Sequence, residues 1–138
     1  MLLMSKKLRI LVAQLNPVVG DIRGNLELAR GALAEGKAEG ADLVVLSELF
    51  ILGYPAEDLV LKPAAVEDSM KAVNTLAAET ADAPDMIIGA PWMEDGKRHN
   101  SAVWLSGGAI KGRYDKRELP NYGVFDEKRI FDAGGGPP

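Results

Sequence analysis

The sequence predicts an α/β fold, and three observations carry that prediction. Two branched apolar runs, residues 8–15 and 43–46, flank a segment of helical periodicity, which is the order of a parallel strand pair with a crossover helix. Three further β-rich segments, residues 85–91, 101–106 and 109–114, follow with only turns between them, an antiparallel pattern. The composition, 47% apolar and 26% charged over 138 residues, is that of one globular domain, or part of one, with a real core.

Each element has its own signal. The first run is rich in branched residues and ends at Asn16-Pro17 and Gly20, so it reads as a buried central strand. Asn25 offers an N-cap, Leu26, Ala29 and Leu33 recur at helical spacing, and Gly36 and Gly40 end the pattern, which predicts a helix over 25–39. Leu43, Val44, Val45 and Leu46 form the second strand, with Ser47 and Glu48 at its carboxyl end. Residues 49–62 read as a loop with room for one helical turn, because Gly53, Pro55 and the Glu57-Asp58 pair interrupt it. Pro63 suits the first position of a second helix, and Val66, Met70, Val73 and Ala77 form its apolar face as far as Thr80. The remaining strands are joined by turns at 94–100 and at Gly107-Gly108. The ending Gly134-Gly135-Gly136-Pro137-Pro138 has the composition of a disordered tail, so residues 1–132 are expected to hold the fold and 133–138 the tail.

Composition also excludes functions. With 16 basic and 20 acidic residues the formal charge is -4, which supplies neither a basic field for nucleic acid nor a block of charge for a membrane surface. The apolar start at Met1 is broken by Ser5, Lys6 and Lys7, and no spanning segment follows, so a cytoplasmic protein is expected. Cysteine is absent, which removes disulfides, thiolate-ligated metal and any cysteine nucleophile within these residues. His99 is the single histidine and is assigned to a turn, so no Ser-His-Asp arrangement or histidine metal site is supported. Ser106-Gly107-Gly108 continues into strand where a phosphate loop would enter a helix, and the first strand and helix carry no G-x-G-x-x-G.

The residues left to carry chemistry lie on loops. Glu48 stands past the carboxyl end of a buried strand, where open α/β sheets place functional groups; the bland alternative is an exposed cap. Lys116 sits in a charge run that also reads as a solvated strand end. Tyr54 and Tyr122 lie on glycine-containing loops, either as pocket walls or as rim aromatics.

Three patterns together go further. Val44-Val45-Leu46-Ser47-Glu48-Leu49, then Gly53-Tyr54-Pro55-Ala56-Glu57-Asp58-Leu59, then Tyr114-Asp115-Lys116 leading into Leu119-Pro120-Asn121-Tyr122-Gly123-Val124-Phe125-Asp126-Glu127, resemble the nitrilase superfamily of carbon-nitrogen hydrolases. Within it the chain is similar to the N-terminal glutaminase domains of glutamine-dependent NAD synthetases, over residues 8–132. The resemblance implies an α-β-β-α sandwich, of which this chain holds the N-terminal half, and a cysteine, glutamate and lysine triad. Glu48 matches the glutamate base, Lys116 the oxyanion-stabilising lysine, and Glu127 a second glutamate that orients the triad. Tyr54 and Tyr122 match positions lining the pocket for L-glutamine.

The same resemblance implies what is missing. The family's cysteine comes well after the lysine, and ATP and magnesium belong to a C-terminal synthetase domain, so the chain is expected to be a fragment without glutaminase activity of its own. Such a fragment is expected to expose strand edges and an apolar sheet face and to self-associate as a homo-oligomer. Two other classes remain open: part of a free-standing amidase or carbamoylase, and a non-catalytic binding or assembly module.

Overall fold

The computed structural model describes residues 6–136. Among them one sheet of five strands runs in the sequence order β1 (Ile10–Val12), β2 (Leu43–Val45), β3 (Asp85–Glu94), β4 (Lys97–Ser106) and β5 (Ala109–Asp115). β1, β2 and β3 pair in parallel and β3, β4 and β5 antiparallel, which bears out the expected parallel start and antiparallel second half. The first strand, expected to be buried and central, is instead a short edge strand with Ile10 and Val12 50% and 65% exposed, because the helices cover only its Leu11 side. The expected apolar start at residues 1–4 and the final two prolines lie outside the described residues. No helix among the described residues is long and apolar enough to cross a membrane.

Helix α1 (Ile22–Ala38) joins β1 to β2, and α2 (Pro63–Glu79), preceded by a 3-10 helix at Glu57–Leu61, leads to β3. Both lie on one face of the sheet. Ala29, Ala32 and Leu33 of α1 and Val73, Leu76 and Ala77 of α2 meet Val44, Met86, Ile88, Val103 and Leu105 in a single core. Each fully buried Ile, Leu or Met there contributes about 1.5–3 kcal/mol relative to exposure.

A second, smaller core decides where the site forms. Leu49, Leu52, Ala56, Val60 and Val66 pack with Ile130 and Phe131 of the short helix α3 (Glu127–Ile130) and its exit. It ties the loop after β2 to the loop after β5, across 60 and more residues of chain. Phe131 and Ile130 are the apolar residues that pull Glu127 inward.

Several local expectations are corrected. Asp21, not Asn25, caps α1, accepting the Gly24 N–H at 2.9 Å, because it stands at the bend where Gly20 ends the preceding loop. Asn25 is instead buried within the helix, accepting the Val18 N–H and donating to the carbonyls of Val18 and Ile51. The turn placed at 94–100 is only Asp95-Gly96, both at positive φ, the two-residue hairpin loop whose twist matches the strands. His99 and Asn100 therefore lie inside β4. The tail drawn from residue 133 begins attached: the Gly134 N–H donates to the Lys116 carbonyl at 2.9 Å.

Candidate active site

The site is assembled at the carboxyl end of β2, the amino-terminal half of β4 and the end of β5. Beyond β2 the chain continues alongside β3, with the Leu46 N–H donating to Ile87 and the Ile51 N–H to Gly89. Ser47, Glu48 and Leu49 cross directly over Gly89, where an added Cβ would stand 2.4 Å from the Leu49 nitrogen. Only glycine permits that approach. Glu48 is thereby held against the sheet.

Lys116 arrives from the other side. Its N–H donates to the Asn100 carbonyl at 2.8 Å, which extends the β4–β5 ladder by one step and aims the side chain at Glu48. Lys116 Nζ lies 2.8 Å from Glu48 Oε1 and 3.1 Å from Glu127 Oε1. Two carboxylates, one 68 and one 11 residues from the lysine, thus meet at one ammonium. Burial acts to lower the Lys116 pKa, but the hydrogen bonds and charges of the two carboxylates outweigh it and the net direction is upward. The lysine is held as a cation.

The two carboxylates differ in surroundings. The Glu48 side chain is 43% exposed, whereas that of Glu127 is 8% exposed and its Oε2 is buried without a hydrogen-bond partner among the described residues. A cavity of about 510 Å³ opens beside Glu127, walled by Tyr54, Ala56, Phe125, Ile130 and Phe131 with Asp58 and Arg129 at its rim. Burial, then the charges of Glu48 and Glu127, push the Tyr54 hydroxyl pKa up against the opposing Lys116, so it remains a neutral donor. Arg129 bridges Asp58 at 2.6 Å and Asp126 at 2.7 Å, tying α3 to the 3-10 helix across the cavity mouth.

The two tyrosines expected to wall one pocket do not share a cavity. Tyr54 lines the cavity of Glu127, while Tyr122 is 72% exposed and borders a separate groove with Lys116, Leu119 and Lys128. What joins them is Phe125, whose ring meets Tyr122 edge-on at 5.7 Å while its own loop lines the Tyr54 side.

Sequence reasoning missed Asn100, which donates from Nδ2 to Glu48 Oε1 at 2.6 Å. The available signal was Asp95-Gly96: read as a tight hairpin turn, it places Asn100 inside a strand, on the same face as Ala102 and Trp104. Behind the site, Asp115 accepts from Ser101 and Arg113. Burial acts against its ionisation, but these hydrogen bonds prevail and its pKa is lowered. Arg113 also lies 5.5 Å over the Trp92 ring, closing the helix-side end of the strands that carry Lys116.

Comparison with known proteins places this arrangement. The family model described as carbon-nitrogen hydrolase matches residues 9–138. The glutamine-dependent NAD(+) synthetase of Rhodobacter capsulatus is 45% identical over 131 residues, covering 95% of this chain and 24% of that protein. The chain thus spans about a quarter of the length of such relatives. The solved glutamine-dependent NAD+ synthetase of Acinetobacter baumannii, in complex with ADP, superposes with a TM-score of 0.87 at 38% identity, over 94% of this chain and 24% of that one. A mutant of the amidase from Nesterenkonia sp. AN1, with acrylamide added at its active site cysteine, superposes with a TM-score of 0.80 at 25% identity, over 96% of this chain and 52% of that one. The five-stranded half-sandwich, the cluster of Glu48, Lys116 and Glu127, and the match over residues 9–138 lead to one conclusion: the chain belongs to the carbon-nitrogen hydrolase family.

Proposed function

We propose that this chain is part of the glutaminase domain of a longer protein that takes ammonia from L-glutamine for the ATP-dependent amidation of deamido-NAD to NAD. The observation that carries the reading is the Lys116 ammonium seated between Glu48 and Glu127 at 2.8 and 3.1 Å. Support for the synthetase branch comes from identity on superposition, 38% to a solved synthetase against 25% to the amidase.

In this reading a cysteine supplied from outside these residues gives its thiol proton to Glu48, and its sulfur attacks the carboxamide carbon of glutamine. Lys116 stabilises the resulting oxyanion. Glu48 returns the proton to the departing nitrogen as ammonia leaves, and water then releases glutamate from the thioester. Glu127 holds Lys116 from its buried position, Tyr54 lines the cavity that receives the substrate, and Tyr122 backs that cavity through Phe125. ATP and magnesium act in a C-terminal synthetase domain, and the protein works as a cytoplasmic homo-oligomer.

With no cysteine, the 138-residue chain alone does not turn over glutamine. An ammonia-release assay on it is expected to read background. Turnover that disappears in Glu48→Gln would overturn the assignment of the nucleophile to residues outside the chain.

A further inference from the structure

We propose that Asn100 is a positioning residue of this site: it fixes one oxygen of the Glu48 carboxylate and so leaves the other, Oε2, as the atom that receives the proton. The role of Glu48 as base rests on the glutamine-hydrolysing reading above; the contact itself does not. Asn100 is 4% exposed in the interior of β4. Its Nδ2 donates to Glu48 Oε1 at 2.6 Å, and Lys116 Nζ donates to the same oxygen at 2.8 Å. Its main-chain carbonyl meanwhile accepts the Lys116 N–H at 2.8 Å. One residue therefore holds the carboxylate by its side chain and the root of the lysine by its backbone.

The chemistry of the side chain matches that place. The terminal torsion of a glutamate is broad and two-fold, so an unrestrained carboxylate exchanges its oxygens freely. Two donors converging on Oε1 break the equivalence. An amide supplies the second donor without a charge, so it neither competes with Lys116 as a cation nor repels Glu48 as an anion. Burying an amide is costly unless it is bonded, and here Asn100 is the buried polar residue of its row, next to Ala102 and Trp104. Packing alone gives no reason for an asparagine at this position.

NMR on the 138-residue chain with labelled asparagine reads the contact directly. The Nδ2 proton bonded to Glu48 is expected downfield of its geminal partner, with the separation lost in Glu48→Ala and kept in Ser101→Ala, whose side chain lies on the other face of β4. In the longer polypeptide that carries these residues, Asn100→Ala lowers kcat on the order of 100-fold, with KM unchanged. Asn100→Asp, which keeps the shape and sets a like charge against Glu48, lowers kcat further. An amide pair indifferent to Glu48→Ala, or an Asn100→Ala or Asn100→Asp enzyme with wild-type kcat, overturns the proposal. If the wild-type longer polypeptide does not hydrolyse glutamine, the functional reading fails instead, and the amide signature alone decides whether Asn100 holds Glu48.

Discussion

On the side of the sheet that meets α1 and α2, Val44, Met86 and Ile88 are fully buried, whereas in the row on the opposite side Val12 and Trp104 are 65% and 46% exposed. That open row is continuous: Val12 pairs with Val45, Val45 with Ile87, and Ile87 with Trp104. Both faces carry apolar residues, yet among the described residues the helices cover only one. Near-continuous apolar strands are the mark of a sheet buried on both sides. The contrast sets Glu48, Asn100 and Lys116 at the rim of the uncovered side, the side on which the function proposed above would bring in the outside cysteine.

Adjacent residues of β3 test this contrast between the two faces most directly. Ile88→Ala, on the covered face, is expected to cost about 2–5 kcal/mol in denaturant unfolding, because the helices cannot collapse into the space. Ile87→Ala, one residue away on the open face, is expected to cost about 1 kcal/mol or less. Equal losses at the two positions would mean that something already covers the open side. Next in size is Gly89→Ala: its Cβ would strike the backbone of Ser47 and Leu49, at about 1–3 kcal/mol, and should displace Glu48 from Lys116, read as loss of that contact by NMR. An unchanged contact would show that the strand end gives way freely. A small effect on stability, about 1 kcal/mol, is expected for Trp104→Ser, from the half-exposed ring and its bond to Asp85 Oδ2, and if the open row is a self-contact this variant also sediments as a smaller species. Sedimentation unchanged from wild type would mean that the open row makes no self-contact.

Much of the scaffold was legible because its signals are local. Pro63 opening α2, the periodicity of Val66, Met70, Val73 and Ala77, and the Gly107-Gly108 hairpin each act within a few residues. The boundaries that went astray did so where two local signals compete. Asn25 and Asp21 both suit a cap, and the choice fell to Asp21 because Asn25 has better partners in Val18 and Ile51, the latter 26 residues away. Glu48, Lys116 and Glu127 were legible as candidates because strand ends and a Pro-Asn-Tyr-Gly segment mark loops, and because the motifs around them resemble a family.

By itself, then, the sequence determined the order of strands and helices, the parallel-then-antiparallel sheet and the two strand ends that carry Glu48 and Lys116. Periodicity, proline and glycine act over one or two turns of chain. The tertiary structure alone decided that Lys116 bonds both carboxylates, that Asn100 bonds Glu48 and that Tyr54 and Tyr122 face different cavities. The reason is reach: Glu48 lies 52 residues from Asn100 and 68 from Lys116, and only the register of β2, β3, β4 and β5 brings them within hydrogen-bond distance.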